Sequence, residues 1–458
     1  MTLKRLSITL AAAILMTVFF LSIAMAGDPK WREKQRAWFE EIGVVPGDVI
    51  TKDNCQKIKG FVPEKIFKWI EKGWWEMKIG EVMYDLSPDD TWLEYGPKHN
   101  VGKYKIVEEN LVEAKTGQAP LTVNGQPFPL LDENIADDPN GAAKLMYNRF
   151  CSWRRGKVSW DRFSLEWVSL EHGFERAINA SGRIMMYWSR TKAEAIPNPS
   201  RHRLTELMYV AEPFDLRGTC QLTLERLDGK PSDVYVYVPA IRRVKKMSGA
   251  NRSDPYMGSD FAIDDGSGYM GQNSSMKWRF IKETTGLHVM QDWNAKHSEK
   301  YVQMPNGSWE AGKNTPRMKK GWEVKGWARN VIEPVTAIWV PRKFYVIEAI
   351  PKDSYYNYGK TVYWVDKGTR WMLYKMIYDR AMEYWKTTIN IPICCEWDNG
   401  KKGHIRFDEM LGIDEKTHHA CTVSFSGLSH GKLSWATLMP PSVDARLFSP
   451  ARLPTLTK

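Results

Sequence analysis

The chain has no C-x-x-C pair and no C-x-x-C-H run, so it carries neither the spaced thiol pair of a redox or metal motif nor a c-type haem attachment site. Beyond the uncharged stretch Leu6–Ile23 there is no second long apolar run, which excludes a protein that crosses a membrane with several helices. Cysteine is scarce, at six in 458 residues, and acidic residues are outnumbered, 54 against 65 basic, for a net charge of +11. No helical periodicity of any length persists past about residue 183. With 43% hydrophobic and 26% charged residues, the balance is that of a globular chain rather than a disordered one. What is abundant is large adaptable apolar surface: 21 Trp, 21 Met, 19 Tyr and 16 Phe. That is more than a plain core requires.

Lys4 and Arg5 precede the uncharged run, and Ala24-Met25-Ala26 supplies a small-x-small cleavage pattern before Gly27. This predicts a signal peptide over 1–26 and a mature chain delivered to the periplasm. No cysteine stands at the cleavage point, which argues against a lipid-anchored form. Cys55, Cys151, Cys220, Cys394, Cys395 and Cys421 then meet an oxidising compartment, where at least one disulfide is expected and the pairing stays open. His418, His419 and Cys421 with His404 are a poor metal set by spacing alone, because adjacent residues project differently, and no metal or other cofactor is expected.

Trp31, Trp38, Phe39 and Ile42 predict one amphipathic helix, and Pro63 opens a second with Ile66, Phe67, Ile70 and Trp74 at helical spacing. Residues 85–140, rich in Asp, Pro, Gly and Asn, read as loops, and 142–150 as a short helix. Residues 27–150 thus form a helical and loop region packing on a sheet domain that occupies 151–458 and ends in a C-terminal extension. From about 183 the period becomes two. Cys220, Leu222 and Leu224, the Asp228-Gly229 turn, and Val234, Val236 and Val238 predict a hairpin, followed by a third strand over 241–247. Further strands are expected at 276–282, 320–328, 336–340, 343–350, 361–366, 370–378 and 382–388. The fold class is mainly β: a large, curved, antiparallel sheet with helices.

Both faces of Arg370–Tyr378 are apolar, with Trp371, Leu373 and Ile377 on one and Met372, Tyr374, Met376 and Tyr378 on the other. Each face must therefore meet a layer or a cavity. The expectation is one apolar space lined by Tyr235, Tyr237, Trp339, Trp364, Met372, Tyr374 and Met376. Three motifs point elsewhere and fail on context. Gly266-Ser267-Gly268-Tyr269-Met270-Gly271 matches a dinucleotide fingerprint but lacks a following helix. Gly427-Leu428-Ser429-His430-Gly431 matches a nucleophile elbow, yet the sole downstream histidine is inside the elbow. Asp260, Asp264 and Asp265 invite a glycosidase reading, but neighbouring acids in one loop do not make a cleft pair. Arg242, Arg243, Lys245 and Lys246 fit either anionic head groups or a solvated edge strand.

Leu207–Gly218, Val236–Arg243, Ser248–Asp254 and Met257–Phe261, with Tyr363–Thr369 and Tyr378–Arg380, resemble a bacterial family of exported proteins labelled outer-membrane lipoprotein-sorting proteins, enlarged relatives of the LolA and LolB carriers. Ile50–Gly80 is similar to its N-terminal helix region. The resemblance implies an unclosed antiparallel barrel wrapped around helices, an apolar cavity for acyl chains, and no catalytic residues. The chain is accordingly expected to be a non-catalytic carrier or binding protein for a lipid or another hydrophobic molecule. It would serve an envelope transport complex with transient membrane contact and no nucleic acid. A secreted hydrolase of glycans or lipids and a structural envelope protein are the alternatives. Arg252 is expected to pair with Asp254 or Asp260 and to order the cavity rim, to which Arg242 and Arg243 also belong.

Overall fold

The computed structural model describes residues 29–456 apart from 83–85, 87–89, 153–155, 189–195, 248–251, 292–298, 312–317, 398–402, 426, 430, 431 and 439, with backbone alone at 29, 90–92, 299–301, 311, 393–397, 403–408, 427–429, 432–436 and 438. The export segment, residues 248–251 of the family-like block, His430 of the elbow motif and the side chains of His404, Cys394 and Cys395 lie outside that description.

Thirteen strands make one antiparallel sheet. They are β1 (Lys157–Ser169), β2 (Gly173–Met186), β3 (His202–Glu212), β4 (Cys220–Arg226), β5 (Asp233–Val238), β6 (Arg243–Met247), β7 (Met276–Gln291), β8 (Ala337–Pro351), β9 (Tyr358–Asp366), β10 (Met372–Asp379), β11 (Tyr384–Trp397), β12 (Gly403–Asp414) and β13 (His419–Ser424). The spatial order is β6-β5-β4-β3-β2-β1-β13-β12-β11-β10-β9-β8-β7. Two runs of consecutive neighbours thus meet at a β1–β13 seam, and the outer strands β6 and β7 do not pair with each other. Short strands at Glu299–Gln303, Trp309–Ala311 and Lys432–Leu438 close a side ring between β11 and β1, while the main sheet stays open.

The expected helices form at α1 (Pro29–Ile42), α2 (Glu64–Glu71) and α4 (Gly141–Ser152). Pro63 is the N-cap of α2, and Ile66, Phe67, Trp69 and Ile70 are buried. Between α2 and α4 the loop expectation is incomplete, because α3 (Asp90–His99) and a hairpin of Tyr104–Val107 with Asn110–Glu113 form there. No helix among the described residues is long and apolar enough to cross a membrane.

Three strand expectations need correction. Residues 336–340 and 343–350 are one strand, β8, running through Pro341. That proline lies beyond the stretch paired with β9, so a missing N–H is tolerated. Residues 320–328 hold a 3-10 turn, Gly321–Glu323, and Gly326 at φ +74° breaks any extension. The long hairpin β1–β2 was not expected before about 183, because register shifts at Trp160/Phe163 and Trp167/Val168 interrupt its alternation.

The β7–β10 half of the sheet is covered on both faces. Trp339, Phe344, Val346, Trp364, Tyr374 and Met376 pack under α1 and α2 with Ile66, Phe67 and Trp69. Tyr345, Ile347, Tyr363, Val365 and Met372 pack on the opposite face with α4 and Tyr269. The two sides of Arg370–Tyr378 are therefore apolar because each meets a layer. A register shift between Trp364 and Val365, paired with Tyr374 and Met372, leaves Leu373 extra. It moves Met372 off the Tyr374–Met376 face expected for it.

Candidate functional site

On the β1–β5 half, the sheet face is covered by the irregular segment 252–271 instead of a helix. Its three-residue turn Tyr256–Gly258 and the longer turn Ile263–Gly268 are 3-10, and the glycine-rich run is followed by a 3-10 turn, Asn273–Ser275, and then β7, with no α-helix between. Such a cover cannot fill a broad sheet face. Two adjoining hollows remain beneath it. The first, about 130 Å³, is bordered by Trp160, Phe163 and Leu165 of β1, Met208 of β3, Met410, Val423 and Phe425, with Phe261, Ala262, Ile263 and Met270 above. The second, about 310 Å³, is bordered by Ala180, Val210, Val234, Val236 and Met247 on the sheet and by Arg252, Asp254, Pro255 and Met257 above. Met208, Gln221, Tyr256 and Ile263 border both.

The cover is held by buried charge. Arg252 donates from Nε to Asp264 Oδ1 and from Nη2 to the Met270 carbonyl at 3.2 Å, and Tyr356 Oη donates to Asp264 Oδ2 at 3.0 Å. The expected partner of Arg252 is thus corrected from Asp254 or Asp260 to Asp264, which the turn at 263–268 carries back beneath the guanidinium. Asp265 accepts from Lys375 Nζ at 2.5 Å, from Tyr358 Oη at 2.8 Å and from the Ala262 amide at 2.7 Å. Burial pushes the Asp265 carboxyl up, but Lys375 and Lys386 outweigh it and hold the group below the usual carboxylate range. Burial wins at Asp264, whose carboxyl is raised despite Arg252. Arg149 Nη1 donates to the Tyr269 carbonyl at 2.8 Å, and Lys386 Nζ to the Asp260 carbonyl at 2.5 Å. Neither Asp264 nor Asp265 faces the hollows, so these acids are structural anchors and not the cleft pair a glycosidase uses.

The structure separates the residues expected to line one space. Trp339, Trp364, Tyr374 and Met376 are packed beneath α1 and α2, and Met372 sits on the α4 side. Tyr235 and Tyr237 pack on the C-terminal segment with Val443, Phe448 and Leu453. None borders either of these hollows, whereas Val234 and Val236, the alternate residues on the strand of Tyr235 and Tyr237, border the second. Which face of β5 meets the C-terminal tail is a long-range fact invisible to local periodicity. Of the rim residues, Arg252 and Asp254 border the second hollow, and Asp254 Oδ1 accepts from Asn357 Nδ2 at 3.0 Å. Arg242 and Arg243 lie at the exposed start of edge strand β6, whose far end supplies Met247 to that hollow. Asp260 instead faces His419, whose Nδ1 is 2.7 Å from Asp260 Oδ2 and whose Nε2 is 3.0 Å from Glu175 Oε2. These carboxylates, Asp260 first, raise the imidazole to about 9. The true lining residues Phe163, Met208, Phe261 and Met270 escaped the sequence reading. The period-two alternation of β1 and β3 signals Phe163 and Met208 alone, whereas Phe261 and Met270 sit in the irregular cover, which has no period.

Cys55, Cys220 and Cys421 are buried thiols, and Cys151 is buried as well. The expected disulfide is not made among the described residues: Cys151 and Cys220 lie in core clusters apart from each other and from that of Cys55 and Cys421.

An open antiparallel sheet with a loosely filled apolar face defines a sheet-and-cover scaffold. The chain belongs to the family described as protein of unknown function DUF1329, whose profile matches residues 49–398. No curated protein matches it. Among solved structures it is similar to an outer membrane lipoprotein-sorting protein domain from Vibrio parahaemolyticus, at 16% identity and TM-score 0.45, covering 71% of this chain and 99% of that one. It is also similar to a DUF1329 protein from Desulfovibrio piger, at 15% identity and TM-score 0.40, covering 65% and 92%. A LolA superfamily protein from Nitrosomonas europaea aligns at 11% identity and TM-score 0.37, covering 67% and 97%.

Proposed function

We propose that the protein is a non-catalytic carrier of an amphipathic hydrophobic molecule, such as an acyl-chain lipid, exported to the periplasm after loss of residues 1–26. The observation that carries this reading is the pair of adjoining hollows beneath segment 252–271. They are lined mainly by Phe, Met, Trp and Val, with Glu206 as the charged group of the first and Arg252 and Asp254 as those of the second. An apolar chain takes the first hollow and its polar end lies toward Arg252. Each methylene withdrawn from water contributes roughly 0.8 kcal/mol, so about a dozen offset the usual immobilisation costs. Flexible Met208, Met270 and Met410 adapt the wall to different shapes. The basic start of β6, Arg242 and Arg243 with Lys245, gives the open edge affinity for an anionic membrane surface from which such cargo would come.

Native mass spectrometry before and after solvent extraction, together with displacement of a fluorescent fatty acid, tests the reading. Co-purifying lipid and probe displacement, both lost in Met208→Trp, support it. No bound lipid and no probe binding by the folded wild-type protein overturn it, and turnover of glycan or lipid ester substrates favours the hydrolase alternative. N-terminal sequencing that finds Met1 retained in membranes overturns the export part alone.

A further inference from the structure

His419 and Cys421 stand two apart on β13 and so project from the same sheet face. Asp260, in the cover segment, meets them there. Ligand atoms of His419, Asp260 and Cys421, one from each, lie within 4.8 Å of one another, and it is Nδ1 of His419 that meets Asp260 Oδ2, at 2.7 Å. We propose that these three residues form a binding site for a zinc-class divalent cation, with one coordination position left for water. The donor set of imidazole nitrogen, thiolate and carboxylate suits a borderline-soft metal and disfavours calcium or magnesium, which take oxygen. On a tetrahedral zinc, ligand atoms stand roughly 3.3–3.8 Å apart given ordinary Zn–N and Zn–S lengths, so rotamer-scale movement closes the present spacing.

Two further contacts point the same way. Glu175 of β2 meets the remote ring nitrogen, Nε2, at 3.0 Å. Metal-bound histidines characteristically give that second N–H to a carboxylate, which fixes the tautomer and frees the other nitrogen for the metal. The Asp260 amide donates to Cys421 Sγ at 3.4 Å, while burial and then the Asp260 carboxylate hold the free thiol well above its ordinary value, so Sγ ionises only as the cation binds. Loading is a displacement: the cation takes the Nδ1 lone pair and Sγ, and one proton leaves the imidazolium and one leaves the thiol for solvent. Asp260 is followed by Phe261 and Ala262, both bordering the first hollow, so a cation here would staple the cover to the β1–β13 seam.

The test is titration of the untagged, reduced, chelator-treated protein with Co²⁺, reading the near-ultraviolet thiolate-to-cobalt band, followed by competition with Zn²⁺. One equivalent with that band is expected. His419→Ala and Cys421→Ser should abolish it, and Glu175→Gln, a surface change, should weaken binding about 10- to 100-fold while keeping the band. Near-ultraviolet circular dichroism verifies that each variant is folded. Absence of the band in the wild-type protein, or its persistence in folded His419→Ala, overturns the proposal. Lipid binding is not read in this experiment, so the carrier reading stands or falls separately.

Discussion

The two halves of the sheet use the same side chains to opposite ends. On β7–β10, Trp339, Phe344, Trp364, Tyr374 and Met376 are sealed by α1 and α2. On β1–β5, Trp160, Phe163, Met208 and Val234 face a cover of 3-10 turns and leave open space. Aromatic and methionine content therefore does not make a cavity. A helix follows a sheet face closely enough to fill it, whereas a looped segment touches it at intervals and must be pinned by other means. Here the means are the ion pairs Arg252–Asp264 and Lys375–Asp265, both buried.

The contrast breaks most severely at those pins. Asp265→Asn leaves the Lys375 ammonium buried without its partner, which should destabilise the fold by about 3–5 kcal/mol in denaturant melts. The same group sets a pH response. Its folded pKa is depressed, so its stabilisation is full above the unfolded value near pH ~4 and fades as pH falls toward the lower folded value. The wild-type melting temperature should drop across that acidic window, and Asp265→Asn should flatten the drop. A variant with wild-type stability would show the cover to be held otherwise.

Truncations come next. Phe344→Ala, in the sealed half, should cost about 3–5 kcal/mol, and Phe163→Ala, which already borders space, nearer ~2 kcal/mol. Equal costs would mean that both halves are equally packed. Enlargement gives a smaller but sharper difference. Met376→Trp should lose roughly 1–3 kcal/mol by overpacking, while Met208→Trp should lose less than ~1 kcal/mol and exclude the fluorescent fatty acid. Least of all, Lys245→Glu on exposed β6 should stay within about 0.5 kcal/mol of wild type. It should still reduce sedimentation with anionic vesicles, and unchanged sedimentation would remove the edge from the mechanism.

The local parts of this architecture were legible in the sequence. The β4–β5 hairpin announced itself through strict alternation and Asp228-Gly229, and α2 through Pro63 and its apolar spacing. The family-like block flagged the cover segment, and Arg252 and Asp254 do reach a hollow. What stayed hidden depends on long-range pairing. Asp264 becomes the partner of Arg252 because of a turn, Tyr235 and Tyr237 are claimed by residues 443–453, and one extra residue at Leu373 reverses Met372. Asp260 reaches His419 across 159 positions, which no spacing rule on the histidine cluster could register.

The seam between β1 and β13 has a bearing on how the molecule assembles. Each run of strands can grow by adding hairpins as the chain emerges, but Ser169 must wait for His419 before the two runs join. Contacts so distant in sequence are slow to form, and until they do the β1 edge lies open to foreign strands. We therefore predict that the two runs gain protection first and the seam last. Pulsed hydrogen exchange during refolding would refute this if those amides of 164–169 and 419–424 that bond across the seam were protected ahead of the amides in β4 and β9.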